Sequence, residues 1–220
     1  EKDQPTEALK ASLKRLDLEY VDLYIIHWPI GEVEDGKIVK QIPLSKTWEE
    51  LEKAVNLELT KSLGLSNFCV QLTIDLLSYC KIKPVCNQVE LHPFFQQKDL
   101  RKAFSKMNIQ IVAYLPIISG RSTQKRPDYD KFDISKNKTL LELANKYNKT
   151  PYQIFLNWHV ANNIVPIPKS SSNERQLQNL ESLNYVLNKD DYEKIDELDR
   201  NIRLNNSQEK SFCSGLNIFV

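Results

Sequence analysis

The sequence has few residues of the kinds that form disulfide frames, metal sites and glycine-rich phosphate loops. Its 220 residues include 4 cysteines, 5 glycines and 3 histidines. The cysteines lack Cys-x-x-Cys spacing and the histidines lack a His-Glu-x-x-His pattern, so we expect reduced thiols and no metal site. The glycines cannot form the Gly-x-Gly-x-x-Gly motif, which argues against a doubly wound dinucleotide-binding fold.

The sequence also lacks an excess of either charge and has no long hydrophobic run. Lysine and arginine number 30 against 29 acidic residues, and this balance provides no basic surface for nucleic acid. No apolar run approaches the roughly 20 residues that cross a bilayer, and the charged start has no signal-peptide pattern. We therefore expect a cytoplasmic protein without a membrane or nucleic-acid partner. The oligomeric state is not predicted.

The first residue indicates that the chain does not begin at a translation start. It begins with Glu1, and its one methionine is Met107. We therefore expect that a segment belongs before Glu1.

Short β-rich runs alternate with amphipathic helical patterns along the chain. Helix starts are predicted at Thr47 and Thr150, because each has Glu or Gln three residues later, as in a capping box. Five strands are predicted, at 20–26, 61–65, 84–90, 109–114 and 164–167. Helices are predicted at 5–16, from 47, near 70–80, around 100–107, at 136–147, from 151, near 173–182 and near 189–199.

Strands separated by helices imply βαβ units and a parallel sheet. The first strand, 20–26, is predicted to be buried, and 27–46 is predicted to be a loop. A closed (β/α)8 barrel needs eight strands, so three further units of roughly 30 residues each are absent. The fold class predicted is therefore α/β, an incomplete (β/α)8 TIM barrel with about five of eight βα units. No linker divides the chain, so 1–220 is interpreted as one domain.

Polar residues recur where the predicted strands end, and a (β/α)8 barrel gathers its function at that edge. Each of these polar residues also has a purely structural interpretation. The histidine could be half-buried with its hydrogen bonds made inside the protein, the serine and asparagine could be turn or cap residues, the tyrosine could belong to the core, and the lysine and serine could form a solvated helix start. Their occurrence at successive strand ends favours a functional role. These residues are His27, Ser66, Asn67, Gln88, Tyr114, Lys169 and Ser170.

Four segments together resemble the aldo-keto reductase family, in order and at the expected separations. They are 16–29 (LDLEYVDLYIIHWP), 64–68 (GLSNF), 87–93 (NQVELHP) and 167–170 (IPKS). The segments 199–205 (DRNIRLN) and 218–220 (IFV) are most similar to the aldose reductase and fungal xylose reductase branch.

The resemblance implies that the intact parent protein carries out NADPH-dependent reduction of an aldehyde, ketone or aldose carbonyl. His27 would be the catalytic histidine that orients the substrate carbonyl, and Trp28 would line the substrate pocket. Glu90 and His92 match the motif and are interpreted as structural support. The cofactor-binding residues that the resemblance implies are Ser66, Asn67 and Gln88 on the nicotinamide carboxamide, Tyr114 stacked on its ring, Ser119 over the pyrophosphate, Lys169, Ser170, Ser172 and Arg175 on the adenosine 2′-phosphate, and Gln178 and Asn179 near the adenine.

The sequence departs from the family pattern in two ways. Leu115 stands where the family usually has a serine, so it cannot donate a hydroxyl hydrogen bond near the pyrophosphate. No residue here matches the family's proton-donating tyrosine, its lysine or its aspartate. Two alternatives therefore remain open: an inactive barrel remnant that at most binds the nucleotide, and a barrel for another phosphate-bearing ligand.

Overall fold

A computed structural model describes residues 4–31, 33–34, 37–38, 42–118 and 132–205. Its backbone contacts group into two compact units. The first contains the described residues up to 88 together with 103–109, and the second contains 89–102 and 110–205. The interpretation of 1–220 as one domain stays a prediction.

The described helices follow the predicted order. A short 3-10 helix, Ile134–Lys136, precedes the fifth of them. They are α1 (Pro5–Leu16), α2 (Leu44–Asn56), α3 (Val70–Tyr79), α4 (Lys98–Lys106), α5 (Lys138–Tyr147), α6 (Pro151–Ala161), α7 (Asn173–Glu181) and α8 (Lys189–Asp196).

The main sheet has five strands in the order β1-β4-β5-β6-β7. Parallel register joins Ile25 to Gly64 and Ile111 to Ile164. Helices separate these strands along the chain, which is the arrangement of an incomplete (β/α)8 barrel, so the predicted fold class is confirmed. The strands are β1 (Val21–Ile26), β2 (Val33–Glu34), β3 (Lys37–Ile38), β4 (Thr60–Ser66), β5 (Cys86–Glu90), β6 (Gln110–Tyr114) and β7 (Ile164–Pro166).

Two predictions near the start of the chain are wrong. Strand β1 is not buried: Asp22 is exposed and Leu23 is 38% exposed, because β1 stands at the end of the sheet with β4 as its neighbour. The segment 27–46 is not a plain loop, since β2 and β3 form an antiparallel pair within it.

The start of α2 also differs from the prediction. The helix begins at Leu44 with Pro43 at its N-cap and without a side-chain cap. Thr47 lies inside the first turn, where its N–H donates to the Pro43 carbonyl at 3.2 Å. Leu44 packs on the apolar cluster below, and this burial extends the helix back past the capping sequence.

The core of the first unit lies between α2, α3 and β4. Trp48 is 1% exposed and donates its indole N–H to the Ile82 carbonyl at 3.1 Å. The Glu52 carboxylate accepts the N–H groups of Lys81 and Ile82 at 2.6 and 2.8 Å, so α2 also holds the turn that leads into β5. The buried members of this cluster are Trp48, Leu51, Leu63, Leu65, Phe68 and Leu76.

Gly64 permits a close approach inside the first unit. A Cβ at this position would lie 2.8 Å from Sγ of Cys86 and 3.0 Å from Cγ1 of Ile25, on the strands either side of β4. A larger residue would therefore push the side chains of β1 and β5 apart.

The second unit is organised around the buried helix α6. Its capping box forms as predicted: the Thr150 hydroxyl accepts the Gln153 N–H, and the Gln153 carboxamide accepts the Thr150 N–H. The rings of Phe155 and Trp158 stack with centroids 4.9 Å apart. Both side chains are fully buried, so α6 supplies much of the core of this unit.

Asp191 joins α5 to α8 in the second unit. Its buried carboxylate accepts from Lys146 Nζ at 2.6 Å, Lys194 Nζ at 2.9 Å and the Tyr147 hydroxyl at 2.7 Å. Burial raises the pKa of Asp191, but these three donors outweigh it and hold the pKa well below its usual value. Asp191 is therefore ionised in the folded unit.

Candidate functional site

Ser66 and Asn67 stand where β4 ends, in the first unit. The Ser66 hydroxyl and the Asn67 N–H both donate to the Gln88 carbonyl, at 2.8 and 3.0 Å. The Asn67 side-chain amide donates to the His27 carbonyl at 2.9 Å and to Ser66 Oγ at 3.1 Å. The structure thus brings four of the predicted site residues together.

The backbone at Asn67 is unusual, because its φ of 62° lies in the left-handed region. Asparagine adopts this conformation more readily than other residues with a side chain. This conformation directs the Asn67 side-chain amide toward the His27 carbonyl, just after β1. The need for both the conformation and the amide explains why an asparagine follows β4.

His27 and Trp28 follow β1 directly. The His27 side chain is exposed and Trp28 is half-buried, with ring centroids 5.9 Å apart. The backbone of this pair adjoins the Ser66–Asn67 turn, since the Asn67 side chain donates to the His27 carbonyl.

Strand β5 places two neighbouring amides differently. Asn87 is fully buried, and its side chain bonds the backbone of Phe68 through both ends: Nδ2 donates to the carbonyl at 2.9 Å, and Oδ1 accepts the N–H at 3.4 Å. Gln88 lies on the opposite face of the strand and is half-buried. Asn87 is therefore the structural amide, and Gln88 is the one that could meet a ligand.

Tyr114 ends β6 in the second unit. Its hydroxyl accepts the side-chain amide of Asn205 at 3.0 Å. Burial, together with the negative charge of Glu90, raises the pKa of Tyr114 to about 12, so the phenol stays protonated. The next residue, Leu115, has a φ of 52°, a left-handed conformation that is costly for a branched side chain.

The predicted 2′-phosphate residues lie around the start of α7. Ser172 is its N-cap and accepts the Arg175 N–H at 3.4 Å, while Ser170 Oγ accepts the Ser172 N–H at 3.2 Å. The side chains of Lys169 and Arg175 are exposed. Two cations and two hydroxyl groups beside a helix N-terminus are donors that suit a phosphate dianion.

The residues predicted near the adenine lie further along α7. Gln178 and Asn179 are half-buried, and the Gln178 carbonyl accepts the Gln153 side-chain amide at 2.9 Å. Ser119, predicted to lie over the pyrophosphate, falls outside the described residues.

Arg203 and Asn205 are the polar residues of this region that the sequence did not single out. Asn205 contacts the Tyr114 hydroxyl, and Arg203 Nη1 lies 3.9 Å from the carboxylate of Glu90. Their one sequence signal is the segment 199–205, which resembles the family pattern but does not by itself indicate a site.

The described part of the chain offers neither a metal site nor a membrane-spanning helix. It has no group of three or more His, Cys, Asp or Glu side chains that could hold a metal ion. Its helices include none that is both long and apolar enough to cross a membrane.

The parallel sheet, its intervening helices and the polar strand ends define the chain as part of a barrel of the (β/α)8 class. Residues 1–200 match the Aldo/keto reductase family, and the chain belongs to that family.

Relatives support this assignment over most of the chain. Aldose reductase C of Dictyostelium discoideum is 38% identical over 207 residues, covering 87% of this chain and 61% of the relative. The NADH-dependent D-xylose reductase of Candida parapsilosis is 36% identical over 216 residues, covering 90% of this chain and 67% of the relative. These matches agree with the predicted aldose reductase and xylose reductase branch.

A solved structure also supports the assignment to the aldo/keto reductase family. The crystal structure of a Bombyx mori aldo-keto reductase in complex with NADP superposes with a TM-score of 0.84 at 33% sequence identity, covering 94% of this chain and 67% of that one. The chain spans about three fifths of the length of the Dictyostelium relative. The activity of such a relative therefore comes to this chain only as a proposal.

Proposed function

We propose that the protein reduces the carbonyl group of an aldehyde, ketone or aldose to the alcohol or polyol, with NADPH as the hydride donor. The observation that carries this proposal is the cluster of His27, Ser66, Asn67 and Gln88 after parallel strands of an aldo/keto reductase. The Bombyx mori structure in complex with NADP supports the cofactor class. A cytoplasmic location is supported by the free thiols of Cys69, Cys80 and Cys86.

The start of α7 is proposed to hold the adenosine 2′-phosphate. Lys169 and Arg175 are exposed cations, and Ser170 and Ser172 present hydroxyl groups at the same turn. Guanidinium and ammonium donors favour a doubly charged phosphate over the neutral ribose hydroxyl of NADH. Gln178 and Asn179, further along the helix, are proposed to lie near the adenine.

The nicotinamide end is proposed to bind to the strand ends. When bound, reduced nicotinamide supplies the hydride. Ser66, Asn67 and Gln88 would orient the carboxamide, and Tyr114 would stack on the ring. His27, exposed at the end of β1, would donate a hydrogen bond to the substrate carbonyl, and Trp28 would bound the substrate pocket. Ser119 stays a prediction for the pyrophosphate.

Protonation of the developing alkoxide is the step for which these 220 residues contain no matched group. The second candidate function is therefore nucleotide binding without turnover by this chain. It is favoured by that absence and by the span of about three fifths of a relative.

Cofactor choice is tested by titrating NADPH and NADH while recording tryptophan fluorescence, to which half-buried Trp28 contributes. Lys169→Ala and Arg175→Ala should each raise the Kd for NADPH on the order of tenfold, with much smaller changes for NADH. Lys189→Ala, an 88% exposed lysine at the start of α8, is the matched control. Equal losses for both cofactors in the α7 variants would contradict a 2′-phosphate site.

Turnover is tested separately, by steady-state reduction of a panel of aldoses and simple aldehydes. The reductase proposal predicts NADPH oxidation that His27→Ala reduces without changing the Kd for NADPH. Binding of NADPH with no oxidation for any member of the panel would favour the nucleotide-binding alternative for this chain.

A further inference from the structure

Glu90 is a fully buried carboxylate to which the proposed reaction gives no role. Its Oε1 accepts the Leu204 N–H at 2.5 Å and lies 3.0 Å from His92 Nε2, and its Oε2 accepts the Asn205 N–H at 2.9 Å. The Arg203 guanidinium stands 3.9 Å away. A buried carboxylate is tolerated when donors surround it in this way.

These contacts end a series that attaches the segment 199–205, here called the docked segment, to the residues after β5. The Phe94 carbonyl accepts the N–H groups of Arg200 and Ile202 at 3.1 and 3.0 Å. Asp199 accepts the Gln96 N–H at 3.2 Å, and the Arg203 guanidinium lies 4.6 Å from the centre of the Phe95 ring. Glu90 is the one carboxylate of the series that binds the far end of the docked segment.

The far end of the docked segment in turn holds Tyr114. Glu90 fixes the backbone of Asn205, and the Asn205 side chain donates to the Tyr114 hydroxyl at 3.0 Å. The path from the Glu90 carboxylate through Asn205 to the Tyr114 phenol therefore has one intermediate residue, and the Arg203 side chain of the docked segment also hydrogen-bonds the phenol. Both partners belong to the docked segment, so loosening that segment would leave the Tyr114 phenol less firmly held.

We propose that Glu90 is a positioning residue for the cofactor: it anchors the docked segment so that Asn205 fixes the ring of Tyr114 in place. The proposal rests on the proposed function, because it needs Tyr114 to be the ring on which nicotinamide stacks. Glu90 itself is fully buried and would touch neither cofactor nor substrate. A purely stabilising role would instead affect every ligand of the second unit alike.

The anchor is tested first without any cofactor, by hydrogen exchange and mass spectrometry of the docked segment. Glu90→Gln keeps the size of the side chain but replaces one acceptor oxygen by a donor that faces backbone N–H groups. We expect the amides of Leu204 and Asn205 to exchange faster in this variant, on the order of tenfold. Unchanged exchange in a folded variant would overturn the anchor.

The effect on the cofactor is tested with two ligands, NADPH and 2′,5′-ADP, which lacks nicotinamide. Glu90→Gln should weaken NADPH about fivefold and leave 2′,5′-ADP nearly unchanged, because disorder at Tyr114 adds an ordering cost to nicotinamide binding alone. Tyr114→Phe keeps the ring and removes the hydroxyl, so it should reproduce this loss. Since both changes break one chain of contacts, the double variant should lose little more than either single variant.

Glu52→Gln is the matched control. Glu52 is also a buried glutamate that accepts two backbone N–H groups, those of Lys81 and Ile82, in the first unit. It should lose stability without changing the ratio of the two affinities. Equal loss of both ligands in Glu90→Gln, with the wild type binding both, would overturn the positioning role alone. A wild-type chain that binds 2′,5′-ADP but gains nothing from nicotinamide would overturn the proposed stacking on Tyr114 as well.

Discussion

His159 is a histidine whose complete burial makes the stability of the fold sensitive to pH. Its two ring nitrogens face carbonyl oxygens, those of Phe155 at 2.9 Å and Leu91 at 3.4 Å. A neutral imidazole has one N–H, so it satisfies one of these acceptors at a time. Burial lowers the pKa of His159 to about 4 despite both carbonyls. The residue is thus neutral in the folded second unit at neutral pH.

The sign of the pH effect follows from this lowered pKa. An unfolded histidine has a pKa of about 6.5 and takes up its proton first as the pH falls. His159 therefore contributes stability above pH 6.5, and that stability is lost between about 6.5 and 4. Glu90, Asp133 and Asp191 have lowered pKa values and lose their contributions at more acidic pH.

We predict that lowering the pH from 7.5 to 5 reduces the free energy of unfolding through His159 by about 2 kcal/mol. His159→Gln keeps a hydrogen-bonding side chain that does not titrate, so this part of the loss should disappear. Urea unfolding of wild type and variant at the two pH values measures the difference. Parallel losses in the two proteins would show that His159 is not responsible.

At the scale of a single helix, the capping box of α6 makes a separate prediction. Thr150→Ala removes the acceptor for the Gln153 N–H and should lower the free energy of unfolding by about 1 kcal/mol. Thr150→Ser keeps the hydroxyl and is the matched control. Urea unfolding of both variants at pH 7.5 checks the prediction, and a serine variant as unstable as the alanine variant would count against the cap.

The elements differ in how far the sequence could predict them. The cap at Thr150 was predicted because all its partners lie within four residues. The similar pattern at Thr47 predicts a helix start that the structure does not show. Packing of Leu44 on residues distant in sequence starts α2 three residues earlier. Strand β1 has the β-branched and aromatic composition of a buried strand, but its position in the sheet leaves Leu23 exposed. Local composition does not encode sheet position.

The sequence also predicts some residues of the candidate site and not others. His27, Ser66 and Gln88 stand at or beside strand ends, so the strand pattern alone could place them on one edge. The contacts of Glu90 with Leu204 and Asn205 span 114 and 115 positions, and no periodic pattern connects residues so far apart. The contacts of Glu90 with the segment 199–205 therefore could not be predicted from the sequence and are known only from the structure.

At the scale of the whole molecule, the described sheet has β1 and β7 at its ends. Val165 in β7 is 47% exposed, and an apolar edge strand is a template for pairing with another chain. We predict that Val165→Lys reduces self-association of the protein in sedimentation velocity measured over a range of concentrations. Ile74→Lys, at a 56% exposed position on α3, adds the same charge elsewhere. A similar effect of both variants would point to net charge and not to the edge.

The long span between Glu90 and its partners also has a kinetic consequence. Contacts between residues far apart in sequence form late, because closing a long loop costs entropy before the contact is gained. During synthesis, Glu90 leaves the ribosome 114 residues ahead of Leu204 and must remain hydrated until then. The second unit therefore completes its folding after nearly all of its chain has emerged. Nascent chains that stop before residue 204 would expose a charged strand end, and such intermediates are natural clients for chaperones.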